Sequence, residues 1–170
     1  GLTQNHEPSF VAQKVVVRDA SDIGVRVRVG DARLIDCTVQ GAGRLGIAVS
    51  RGGSVTLSNG SEVLDSGGVG ISATLHGVMS LVNSKVLRSG EEGIVLSEGS
   101  RGNISGSEIK DNRAVGLNVG TSASASVVNT TISGNGTGDG PQGDGVMVWG
   151  GAQAHIAGTS SIIDNRDEGI

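Results

Sequence analysis

Two groups of residues in this 170-residue chain have types and spacings that could do chemistry. Glu62 and Glu108 recur at equivalent places in a repeating pattern, and paired carboxylates could protonate a leaving oxygen and activate water in a hydrolytic reaction. Lys85 occupies the same place in the repeat between them, and nothing in the sequence raises the pKa of either acid. The three therefore read as a solvated column of alternating charge, which fixes register because like charges directly opposite repel. The second group surrounds the only Trp. The stretch 134–145, GNGTGDGPQGDG, carries Asp139 and Asp144, which could offer oxygens to Ca²⁺. Just beyond it Trp149 could stack on a sugar ring, with Met147 and His155 at outward strand positions as further ligand contacts. Two acids fall short of the six or so oxygens that Ca²⁺ takes, so no cofactor is expected.

The remaining reactive side chains fit structural roles. His6, His76 and His155 fall on separate turns or strands, which argues against a His-based zinc or copper site. Cys37 is the only cysteine, excluding an intrachain disulfide, and reads as a small buried filler. The formal net charge of -4, with no Lys/Arg run, argues against a nucleic-acid surface. No apolar run approaches the roughly 18 residues needed to span a bilayer. With 30 Gly, one Phe, one Trp and no Tyr, the interior should be thin and filled by Val, Ile, Leu and Ala.

These residues must be positioned by a repeat. Glycines that precede an apolar residue occur at Gly1, Gly24, Gly46, Gly70, Gly93, Gly116, Gly145 and Gly169, with separations of 23, 22, 24, 23, 23, 29 and 24. A period near 23 without helical i, i+3, i+4 patterning excludes ankyrin, TPR and HEAT arrays. Within each repeat, apolar residues alternate in three short runs, as in three strands with one face inward. In the stretch 93–115 these inward positions are Ile94 and Leu96, then Ile104, then Ile109. The third-strand anchor lies seven residues before the next initiating Gly in six repeats, whereas Ile132 lies thirteen before Gly145. Six residues have thus been inserted in one turn, within 133–144, where a stacked scaffold tolerates extra length.

Two residues past the second-strand anchor stand Asp36, Asn59, Asn83, Gly106, Asn129 and Gly158, all types that tolerate left-handed backbone angles, with Lys14 as the exception in the leading coil. The expectation is a one-residue corner there, where stacked Asn side chains could bond from coil to coil. The outward column of the first strand is Arg26, Ala48, Ser72, Val95, Asn118 and Met147. Four Asn-x-Ser/Thr sequons begin at Asn59, Asn103, Asn129 and Asn135.

The Gly-apolar-x-apolar openings, the Asn/Gly corner and the seven-residue return, recurring in phase over 1–170, resemble the right-handed parallel β-helix repeats of the pectin-lyase-like superfamily. The resemblance implies an all-β, right-handed, single-stranded parallel β-helix of about seven coils of 22–24 residues, with three short strands per coil. Both ends open on strands without caps, so the chain is expected to be a segment of a longer solenoid with further coils at each end. Members of that superfamily that cleave polysaccharides use Asp, His, Arg and Lys on a shared face, and their Asn-Thr-Asp, Asp-Asp, Gly-His-Gly and Arg-Ile-Lys signatures are absent here. The expected function is a non-catalytic scaffold of a secreted or cell-surface protein, serving adhesion, assembly or contact with polysaccharide or other surface proteins. The alternative is a segment of a polysaccharide lyase, hydrolase or epimerase whose catalytic coils lie outside it or are degenerate within it.

Overall fold

The computed structural model describes residues 9–138 and 143–170, which fold as a parallel β-solenoid with no α-helix among them. Each repeat forms one coil of three strands, and strands at the same place in successive coils pair in parallel. The first sheet stacks Ile23–Val27, Leu45–Val49, Ile71–Ala73, Ile94–Leu96, Leu117–Val119 and Val146–Val148. The second stacks Ser9–Gln13, Asp31–Ile35, Ser54–Ser58, Val78–Val82, Arg101–Ser105, Ser124–Val128 and Gln153–Ala157. Val16–Arg18, Thr38–Gln40, Glu62–Leu64, Lys85–Leu87, Glu108–Lys110, Thr131–Ser133 and Ser161–Ile163 form the third. With six, seven and seven strands, the described residues hold slightly fewer full coils than the seven expected from the glycine spacing.

Alternation along each strand sends every second side chain into the tube, so the core is a set of columns. Ile47, Ile71, Ile94 and Leu117 stack on the first sheet, Leu34, Leu57, Leu81, Ile104 and Val127 on the second, and Val39, Val63, Val86, Ile109 and Ile132 on the third, all buried. The outward column of the third sheet pairs Glu62 with Lys85 and Lys85 with Glu108, as the charge alternation implied. Lys85 Nζ lies 3.6 Å from Glu108 Oε2.

The expected corner between second and third sheets is present in every coil. Asp36, Asn59, Asn83, Gly106, Asn129 and Gly158 all have φ between 47° and 69°, and Lys14 adopts the same bend with φ 56°. A second corner of the same kind follows the third sheet, at Asp19, Gly41, Asp65, Arg88, Asp111, Gly134 and Asp164, with φ between 52° and 67°. Asp65, Arg88 and Asp111 are thus corner residues as well as a charged column, and Arg88 Nε lies 2.7 Å from Asp65 Oδ1.

A continuous Asn ladder exists, but at this other corner rather than the one expected. Asn112 Nδ2 donates to Asn135 Oδ1 at 2.9 Å, and Asn135 Nδ2 donates to Asn165 Oδ1 at 2.9 Å. Asn112 Oδ1 accepts the Ser89 backbone N–H at 2.9 Å. At the expected corner the Asn side chains act singly: Asn129 Oδ1 accepts the Thr159 N–H of the next coil at 2.9 Å. The physical reason lies in the direction of the side chain. A residue in the left-handed bend points its side chain outward, whereas the next residue points into the tube, where unpaired amides would be costly and so pair with each other.

The inward position after the first of these corners holds a column of hydroxyls, Ser61, Ser84, Ser107 and Thr130, all buried and bonded to strand carbonyls. Cys37 occupies the same column. It is buried, with its thiol 3.4 Å from the carbonyl oxygens of Ala12 and Ile35, so it fills a place that Ser takes elsewhere. Gly93 is set by packing: a Cβ there would stand 2.7 Å from Asn112 Nδ2 and 2.8 Å from Ile109 Cγ2.

Candidate functional site

Trp149 directly follows the strand Val146–Val148, the last of the first sheet among the described residues, and its N–H bonds the Val119 carbonyl of the preceding coil at 3.0 Å. The chain then turns through Gly150 and Gly151, with φ 62° and 73°. The indole folds back along the outer surface, where Nε1 donates to Asn118 Oδ1 at 2.8 Å. It lies over Gly120, since a Cβ at Gly120 would stand 2.7 Å from Nε1. The residue remains 52% exposed. A large ring held by one hydrogen bond and seated over a glycine is fixed in one orientation against the outer surface.

Met147 belongs to the same surface. It is the outward residue of its strand and pairs in register with Asn118, so the fold brings Met147, Trp149 and Asn118 together on the first sheet's outer face. Asp144 stands at the opposite end of that strand, roughly 16 Å from Trp149 along an extended chain. Its Oδ1 accepts the Glu168 N–H at 3.2 Å and its backbone carbonyl accepts the Gly116 N–H at 3.0 Å. His155 faces outward from the second sheet, opposite Ser126, on a different side of the tube. Asp139 and His6 lie outside the described residues. Among the described residues no group of three or more His, Cys, Asp or Glu side chains is placed to hold a metal ion.

The sequence reading did not single out Asn118 as a partner of Trp149, nor Gly120 as its seat. The signal was there in register. The residue after the last inward position of the first strand is Arg28, Ser50, Thr74, Ser97, Gly120 and Trp149 in successive coils, so the largest side chain follows directly upon the smallest. The inserted turn is also less separate than its composition implied. Gly136 N–H bonds the Asn112 and Ala114 carbonyls at 2.9 and 3.0 Å, and Gly138 N–H bonds that of Arg113 at 3.0 Å. Arg166 reaches the Gly138 carbonyl from the following coil. Asn135, first noticed as a sequon within the insertion, is a buried rung of the Asn ladder.

Charged groups elsewhere pair between neighbouring coils. The Arg88 guanidinium beside Asp65 holds its carboxyl below the ordinary carboxylate value, partial burial opposes this, and the Gln40 amide at 3.0 Å assists it. Asp22 is likewise lowered, chiefly by its hydrogen bond from Arg44 at 2.7 Å. No helix among the described residues is long and apolar enough to cross a membrane.

A family model described as the right-handed beta helix region matches residues 2–161. No curated protein and no solved structure matches the chain.

Proposed function

The chain belongs to the right-handed β-helix family, and on that footing we propose that it is a non-catalytic scaffold of a secreted or cell-surface protein whose first-sheet face makes a glycan contact at Trp149. The observation that carries this reading is the state of the indole. It is the only Trp in the chain, half exposed, tied by Nε1 to Asn118 and seated over Gly120. Fixing the orientation of the indole lowers the ordering cost of any ring that stacks on it. A pyranose offers an apolar C–H face for such stacking and hydroxyls for polar neighbours, and Asn118 and Met147 stand beside the indole to receive them.

The rest of the coil supports a scaffold. Asn112, Asn135 and Asn165 are engaged in rungs between coils, and the carboxylates Asp22, Asp65 and Glu108 are paired with cations. The test is retention on insoluble polysaccharides. Wild-type chain should co-sediment with at least one neutral polysaccharide, and Trp149→Ala should lower retention about ten-fold while Trp149→Phe keeps part of it. Equal retention of wild type and Trp149→Ala would discard the glycan contact, and release of new reducing ends or unsaturated products during incubation would discard the non-catalytic reading.

A further inference from the structure

On the outer face of the first sheet, about four coils or ~19 Å from Trp149, a shallow groove of about 360 Å³ is lined by Arg26, Arg28 and Arg51. Its base lies between Ala48 and Ser72, small outward residues that follow Arg26 in the same column. Ser50, Ser72 and Thr74 line it too, beside Ile23, Leu45 and Leu75. We propose that this groove binds a sulfate or phosphate ester carried on a sugar.

The charge pattern carries the proposal. Elsewhere several cations stand next to acids in the adjoining coil, as in Lys85 with Glu108, Arg88 with Asp65 and Arg44 with Asp22. The groove's lining holds three arginines and no acid. Arg26 reaches Asp22 at 3.4 Å, an acid already held more closely by Arg44 at 2.7 Å. Arg28 and Arg51 have no ion-pair or hydrogen-bond partner among the described residues. Three guanidiniums clustered on adjacent coils repel one another, in a chain whose formal net charge is -4. An anion in the groove relieves that repulsion and adds charge-assisted hydrogen bonds. Each planar fork can bond two oxygens of one group, so a tetrahedral oxyanion can engage more than one arginine where a carboxylate offers two oxygens only. The hydroxyl-bearing side chains suit a hydroxylated carrier, and the overall acidity disfavours a nucleic-acid strand, which needs an extended basic track.

The full chain is titrated calorimetrically at low salt with dextran sulfate, phosphorylated dextran, an oligouronate, unmodified dextran and a single-stranded oligonucleotide. One of the two ester-bearing dextrans is expected to bind, and the tighter of them identifies the ester. Arg28→Gln/Arg51→Gln should weaken that binding by about ten-fold or more, while Lys110→Gln and Trp149→Ala should each change it by less than about two-fold. The Trp149→Ala arm separates this groove from the indole contact, so either can fail alone. All four side chains are exposed, and thermal unfolding of each variant confirms the fold. Absence of binding by both esters, equal weakening by Lys110→Gln, or an oligouronate bound as tightly would overturn the proposal. A tighter oligonucleotide, lost in the double variant, would overturn the sugar carrier.

Discussion

Asn135 is buried among five hydrogen bonds that tie three coils together. Asn135→Ala strands the Nδ2 and N–H of Asn112 and should cost about 2 to 4 kcal/mol in urea unfolding. Asn129→Ala, at an exposed corner, should cost about 1 kcal/mol, divided between its bond to Thr159 and left-handed strain. The two asparagines looked alike in sequence, both opening sequons, because composition does not reveal which way a corner residue points. What separates them is the count from the strand anchor. Asn129 is two residues past Val127, in the bend, whereas Asn135 is three past Ile132, turned inward, in phase with Asn112 and Asn165. Asp65 supplies a test in pH. Its carboxyl is lowered mainly by Arg88, so its contribution is complete above the unfolded carboxylate value and is lost as pH falls through the lower folded value. Asp65→Asn should therefore flatten the acid limb of stability below about pH 4 and cost less than about 1 kcal/mol at neutral pH, since the pair is largely exposed.

At the scale of the element, the strand pattern was fully legible, because a period of two needs only apolar and polar residues to alternate. Leu81 and Ile104 pair in register and both are buried. Leu81→Ala and Ile104→Ala should each cost about 2 to 5 kcal/mol, against less than about 1 kcal/mol for Lys85→Ala. The corner after the second strand was legible too, since Asp, Asn and Gly mark left-handed bends. The corner after the third strand was not, because Arg88 takes φ 55° without belonging to those types. The initiating glycine was found by its period, but its cause is packing. Gly93→Ala should cost about 1 to 3 kcal/mol by crowding Ile109 and Asn112, and combining it with Ile109→Ala, which removes the crowded Cγ2, should cost less than the sum of the two single losses. Additive losses in the double variant would show that the two sites are not in contact.

The whole molecule is quasi-one-dimensional, each coil stabilised by its neighbours, so residues far apart in sequence meet only when they share a column. This geometry decides which sequence-predicted site residues can cooperate. Met147 and Trp149 share the outer face of the first sheet with Asn118, whereas Asp144 and His155, though close in sequence, occupy another corner and another sheet. The Trp was visible from its singularity and the insertion from its length, but the seat at Gly120 required the stacking of coils. That face also carries the arginine groove toward the other end of the rod. The central claim, that the seated indole receives a sugar ring, is tested most directly by its own fluorescence, because Trp149 is the sole tryptophan. Neutral oligosaccharides of increasing length are titrated into the chain while Trp149 emission is followed. A saturable emission change with at least one of them, weakened in Gly120→Ala, is the predicted result; emission that stays constant across the panel would contradict it.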